Sequence, residues 1–108
     1  LIVDQAIAYM SDHMDQALSL REVADVVAVS PRHLIRLCKE VTDRSPMEIL
    51  TDLRLAKAAE LLRLPDKSVT EVCTEVGYSS LSYFVRRFKQ RFGVTPGRYG
   101  RLASHRPT

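Results

Sequence analysis

The stretch Val69-Thr70-Glu71-Val72-Cys73-Thr74-Glu75-Val76-Gly77-Tyr78-Ser79-Ser80 runs directly into Leu81-Ser82-Tyr83-Phe84-Val85-Arg86-Arg87-Phe88-Lys89-Gln90-Arg91-Phe92, and the rest of the chain is organised around it. Val69, Val72, Cys73 and Val76 recur at steps of three and four, which puts them on one stripe of a short helix. Gly77 ends that helix, because glycine reaches positive φ without a Cβ clash, and Tyr78 to Ser80 completes a tight turn. A second helix is predicted from Leu81 to Phe92. Phe84, Phe88 and Phe92 form its inward stripe, while Leu81, Ser82, Val85, Arg86 and Lys89 share another face. Aliphatics among cations are unusual on a merely solvated face. They suit a DNA major groove, where arginine and lysine meet guanine or phosphate and aliphatics meet thymine methyls.

Two helices joined by a short glycine-containing turn, the second one basic, form the pattern of a helix-turn-helix. An ordinary pair of packed helices would give the same pattern once. Here it occurs twice. Leu20, Glu22, Val23 and Val27 fall on Val69, Glu71, Val72 and Val76 at an offset of 49 residues. Ser30, Leu34, Ile35, Arg36, Cys38 and Lys39 fall on Ser80, Phe84, Val85, Arg86, Phe88 and Lys89 at an offset of 50. The one-residue slip lies in the turn, where a duplicated unit tolerates insertion.

The 108 residues suffice for one domain, or for two subdomains sharing a helix. The formal net charge of +3 decides little, but its distribution is uneven. Residues 1–30 hold one basic side chain against five acidic, residues 31–75 hold eight of each, and residues 76–108 hold seven basic and no acidic ones. Such polarisation is expected of a polyanion binder. Cys38 and Cys73 sit on apolar stripes without CxxC spacing, so they read as buried free thiols in a reducing compartment. No apolar run reaches the length of a membrane span, and no basic-then-apolar leader is visible, so a chain that stays in the cytoplasm is expected. His13, His33 and His105 lack ligand spacing, and neither metal nor cofactor is indicated. The start at Leu1, without methionine, fits a piece of a longer protein.

In chain order, Leu1 to His13 is predicted helical, with Ile2, Ala6, Tyr9, Met10 and His13 on or near one face packed as a lid over the first helix pair. Ser19 with Glu22 matches a capping box, and Leu20, Val23, Ala24 and Val27 form the next stripe. Ser30 caps the following helix and Pro31 suits its first position. Leu34, Leu37 and Cys38 point to the core; Arg32, Ile35, Arg36 and Lys39 take the i, i+3, i+4, i+7 positions of the other face, and His33 reads as a cap-region or packing residue. Ser45-Pro46-Met47-Glu48 is a second capping match, opening a helix expected to run to about Leu64 before Pro65. Roughly nineteen residues make a rod of about 28 Å, close to the spacing of about 34 Å between successive major-groove faces. Met47, Leu50, Ala58, Leu61 and Leu62 line it, with Arg54 expected in a buried or bordering ion pair. Gly93 to Gly97 is a turn, Pro96 opens a last helix through Tyr99, and His105 to Thr108 is expected to fray.

The double helix-turn-helix, the segment Arg54 to Leu62 (RLAKAAELL) and the ending Gly77 to Tyr99 (GYSSLSYFVRRFKQRFGVTPGRY) resemble the DNA-binding domain of AraC/XylS-type bacterial transcription regulators over about residues 4–100. The resemblance implies an all-α fold of about seven helices: a first subdomain over 1–44, a linker helix over 45–64 and a second subdomain over 65–108. It implies sequence-specific binding of double-stranded promoter DNA through two recognition helices in adjacent major grooves. Base-facing roles would fall on Arg32, Ile35 and Arg36 in the first helix and on Leu81, Ser82, Val85 and Arg86 in the second. Ser30, Lys39, Ser80 and Lys89 would meet the DNA backbone. Implied partners are RNA polymerase and an N-terminal effector or dimerisation domain, in the cytoplasm at the nucleoid. The sequence departs from the family where Cys38 stands for phenylalanine, Asp43 for glycine, Cys73 for alanine and Gly100 for arginine. Cys38 is expected to leave the first core less filled and Asp43 to weaken or reorient that unit on DNA, so the second unit is expected to be the better ordered.

Two other classes fit less. An enzyme would need Cys38 or Cys73 as a nucleophile, and both lie on core stripes without a nearby histidine–acid arrangement. A protein-binding module would use the faces carrying Ile35, Leu81 and Val85, and steeply salt-dependent DNA binding would reject it.

Overall fold

The computed structural model describes residues 1–104, which form seven helices, and no strand occurs among the described residues. They are α1 (Ile2–Asp12), α2 (Leu20–Val26), α3 (Pro31–Thr42), α4 (Pro46–Leu61), α5 (Val69–Glu75), α6 (Leu81–Phe92) and α7 (Pro96–Ser104). The all-α expectation holds. Backbone contacts divide the chain into one unit over Leu1–Leu53 and another from Arg54 onward, so α4 contributes its first half to one core and its second half to the other. His105 to Thr108, expected to fray, lie outside the described residues.

In the first unit α1 packs on α2 and α3, as the lid reading requires. Its buried stripe is Val3, Ala6 and Met10, so Ala6 and Met10 lie where expected and Val3 takes the place expected of Ile2. Ile2 and Tyr9 flank that stripe, and the Tyr9 and His13 rings stack with centroids 4.2 Å apart. Val23, Ala24, Leu34, Cys38, Ile49 and Leu50 complete the core, with Leu37, Met47 and Leu53 closing its edges. Cys38 is fully buried, so these larger neighbours close over the smaller side chain and the expected deficit of filling does not expose it. In the second unit Leu55, Ala58, Leu62, Val72, Cys73 and Val76 gather around Phe84 and Phe88. Arg54 lies half-buried with its guanidinium carbon 5.6 Å from the Tyr78 ring centre.

Two helices end elsewhere than the sequence pattern indicates. α4 stops at Leu61, three residues early, because hydrogen bonds of the tighter i→i+3 type, Arg63 N–H to Glu60 and Leu64 N–H to Leu61, wind the chain out of the α-helix ahead of Pro65. Its 16 residues span about 24 Å. α7 runs past Tyr99 to Ser104, and within it Gly100 lies so close to the Leu62 carbonyl that an added Cβ would stand 3.3 Å from it. Gly100 is therefore a site of close approach inside a helix.

The duplication extends to the turns. Ala28 (φ 59°) and Gly77 (φ 96°) occupy matching left-handed positions, followed by matching bonds from Val29 N–H to the Ala24 carbonyl (3.1 Å) and from Tyr78 N–H to the Cys73 carbonyl (3.0 Å). Asp43 (φ 65°) and Gly93 (φ 82°) match in the same way after α3 and α6. A side chain with a Cβ is strained in this region, alanine more than aspartate. Ala28→Gly is therefore expected to stabilise the first unit by about 0.5–1 kcal/mol, and Asp43→Gly by less. A urea midpoint that falls in Ala28→Gly would contradict this account of the turn.

Serine caps open most of these helices. Ser45 and Glu48 exchange bonds (Glu48 N–H to Ser45 Oγ, 3.2 Å; Ser45 N–H to Glu48 Oε1, 2.8 Å), and Ser68 and Glu71 form the same reciprocal box. Ser19 makes half of one, its hydroxyl rather than its amide meeting Glu22. The backbone bond at the cap residue, first, and the serine hydroxyl, second, lower the pKa of both Glu48 and Glu71. A carboxyl depressed in the folded chain stabilises it above the pH where a free glutamate protonates, about 4.3, and that contribution is lost as pH falls through the lower folded value. Thermal melts of Ser45→Ala/Ser68→Ala are thus expected to fall less steeply below about pH 4.3 than those of the parent; an unchanged acid limb would assign it to other carboxyls.

Candidate nucleic-acid interface

α3 and α6 carry cations and aliphatics together on their outer faces. Each is built in the same way. Ser30 accepts from His33 N–H and Ser80 from Tyr83 N–H, which fixes the first turn. Leu34 and Cys38 anchor α3 to the first core, and Phe84 and Phe88 anchor α6 to the second, all at 0% exposure. With the inner face fixed, the outer face follows from the helical repeat. Arg32, Ile35, Arg36 and Lys39 are exposed on α3; Leu81, Ser82, Arg86 and Lys89 are exposed on α6, where Val85 is half-buried. Each cap hydroxyl accepts from its own helix, and Ser80 Oγ also lies 3.3 Å from Ser82 Oγ.

The electrostatics of the two faces differ. On α3, Arg36 Nε lies 3.9 Å from Glu40, and Lys39 Nζ lies 3.9 Å from Glu48 on the next helix. Nearby, Arg44 holds Asp52 at 2.6 Å. Arg36 also donates to Nδ1 of His33 at 2.7 Å. On α6, Arg86 lies with its guanidinium carbon 5.5 Å from the Tyr83 ring centre, and Arg87 bonds to Gln90. No acidic residue follows Glu75 in the chain. Among the described residues no ion pair involves a cation of α6, whereas Arg36 and Lys39 of α3 have acidic neighbours that a phosphate must displace, at a cost of about 0–1 kcal/mol for each exposed pair.

Lys89 also lines a concave surface with Gly93, Val94, Thr95, Arg98 and Arg101. Three cations converge there around the start of α7, where Thr95 caps by accepting from Arg98 N–H. Arg98 and Arg101 were not singled out from the sequence. Their i, i+3 spacing was a signal, hidden because the helix appeared to stop at Tyr99.

Residues 23–102 match the protein family described as "Helix-turn-helix domain". The chain belongs to that family, in its AraC-type form. It is similar to the HTH-type transcriptional activator RhaS of Escherichia fergusonii, 38% identical over 104 residues, which are 94% of this chain and 37% of that protein. The chain therefore spans little more than a third of the length of this relative. Among solved structures, the C-terminal domain of AraT, a response regulator from Geobacillus stearothermophilus, is 38% identical with a TM-score of 0.88, covering 94% of this chain and 84% of that one. A transcriptional regulator from Chromobacterium violaceum with an AraC-type DNA-binding domain is 27% identical with a TM-score of 0.90, covering 98% and 95%. Within the family frame the chain is a sequence-specific DNA-binding domain of the transcription-regulator kind, and α3 and α6 are its two candidate recognition helices.

Proposed function

We propose that α3 and α6 enter adjacent major grooves of a promoter, with Arg32, Ile35 and Arg36 reading bases from the first and Leu81, Ser82, Val85 and Arg86 from the second. Ser30, Lys39, Ser80 and Lys89 meet backbone phosphates, joined by Arg98 and Arg101, which line the same concavity as Lys89. The observation that carries this reading is the repetition of one exposed cation-and-aliphatic face, at a 50-residue offset, on two helices whose opposite faces are anchored in a core. The domain thereby regulates transcription, in the bacterial cytoplasm, as part of a longer protein whose remainder binds an effector or dimerises. RNA polymerase is the proposed protein partner. Length supports the longer protein, since the RhaS relative is matched over 37% of its extent. Catalysis forms no part of this reading. Burial raises the pKa of both Cys38 and Cys73, which opposes the thiolate a nucleophile needs.

The test is selection of bound sequences from random duplex DNA by the 108-residue chain at about physiological salt. Two short preferred blocks with centres about 10 base pairs apart support reading by both helices. One block reduces α3 to a clamp, and no DNA binding at any salt transfers the exposed Ile35 and Leu81 and the half-buried Val85 to a protein partner.

A further inference from the structure

Positions 33 and 36 on α3 correspond to 83 and 86 on α6 under the 50-residue offset. In both pairs the first residue is a ring and the second an arginine three positions on, hence a neighbour on the helix surface. The two contacts use different chemistry. His33 Nδ1 lies 2.7 Å from a terminal nitrogen of Arg36. A guanidinium only donates, so Nδ1 accepts and the ring proton sits on Nε2. Arg86 instead holds its guanidinium carbon 5.5 Å from the centre of the Tyr83 ring, within the range of a cation–π contact.

Neither ring is accounted for by burial. Tyr83 is 44% exposed, and its ring centroid lies 5.9 Å from that of the buried Tyr78. His33 is half-buried beside Ser30, Arg32 and Arg36, which line a concavity with it. The carboxylate that competes for Arg36, Glu40, stands 3.9 Å away, farther than the imidazole.

We propose that His33 and Tyr83 are positioning residues, each restraining the arginine three residues later so that its side chain loses less freedom on meeting a guanine edge. The inference rests on the base-reading roles of Arg36 and Arg86. The two units share a ring three residues before an arginine and differ in the chemistry of the contact.

The experiment measures, for the 108-residue chain, the ratio of affinities between the selected site and sites substituted at the base pairs that Arg36→Ala and Arg86→Ala identify. His33→Leu and Tyr83→Leu remove the contacts. His33→Asn keeps an acceptor, since its Oδ1 stands at the same place along the side chain as Nδ1, and Tyr83→Phe keeps the ring face. The leucine variants are expected to lower the ratio about two- to five-fold at their own base pairs, and the asparagine and phenylalanine variants to retain it. Weakening that is uniform across all sequences, or equal loss in the conservative variants, overturns the proposal. Should the two alanine variants leave every ratio unchanged, the base-reading roles fall and the positioning roles with them. If only the alanine variants change it, base reading stands and the positioning roles fail. Helical circular dichroism verifies folding, and should one leucine variant unfold, the pair on the other helix decides.

Discussion

Phe88→Ala is expected to remove about 3–5 kcal/mol of stability, enough to unfold the second unit in a large fraction of molecules at ambient temperature. The ring is fully buried and meets three others, with centroids 5.9 Å from Phe84, 4.5 Å from Phe92 and 5.4 Å from Tyr99. Those contacts tie the middle of α6 to its own first and last turns and to α7. Truncation opens a cavity that the remaining rings, held by their own helices, fill only in part. Cys38, which matches Phe88 in the first unit, is equally buried but offers only a sulfur to delete, so Cys38→Ala is expected to cost about 1 kcal/mol. Urea titrations followed by helical circular dichroism compare the two. Equal losses would mean that the first core depends on position 38 as strongly as the second depends on position 88, and the asymmetry would be wrong.

The same pair of positions explains what was legible in the sequence. The bounds of α6 follow from Ser80, three phenylalanines spaced by four, and Gly93, because the cap, the stripe and the left-handed stop agree. Where a single signal stood for two different causes, the reading failed. The expected end of α7 at Tyr99 missed that Gly100 packs closely against Leu62 inside the helix, and α4 ends before Pro65 because local turns take over. Ala28 gave no sign of positive φ, since alanine is a good helix former and only alignment with Gly77 marks it. The Ser68–Glu71 box was readable from its spacing and was passed over.

For the candidate interface, residue spacing gave the outer faces but not their partners. Lys39 meets Glu48 nine positions on, across the turn at Asp43 and on a different helix, and no periodicity encodes that. The His33–Arg36 and Tyr83–Arg86 contacts lie within reach of an i, i+3 rule, yet the choice between packing and holding an arginine depends on rotamers.

The second large effect concerns Arg86 and Lys89, three residues apart on α6 and both exposed. Arginine presents a planar fork that matches the O6 and N7 acceptors of guanine, whereas lysine presents a point charge suited to phosphate. Arg86→Ala is accordingly expected to cost about 1–3 kcal/mol on the selected site and to relax preference at one base pair. Lys89→Ala is expected to weaken all sequences alike and to reduce the slope of log affinity against log salt by about one. The surroundings sharpen the contrast. Arg86 is held against Tyr83, which favours a defined approach, while Lys89 shares its concavity with Arg98 and Arg101, where several cations track one stretch of backbone. Because neighbouring cations partly substitute for one another, the affinity lost in Lys89→Ala should grow when Arg98→Ala is added, with preference still unchanged. An Arg86→Ala variant that weakens every sequence equally would make both residues phosphate contacts, and base reading on α6 would then pass to Leu81, Ser82 and Val85.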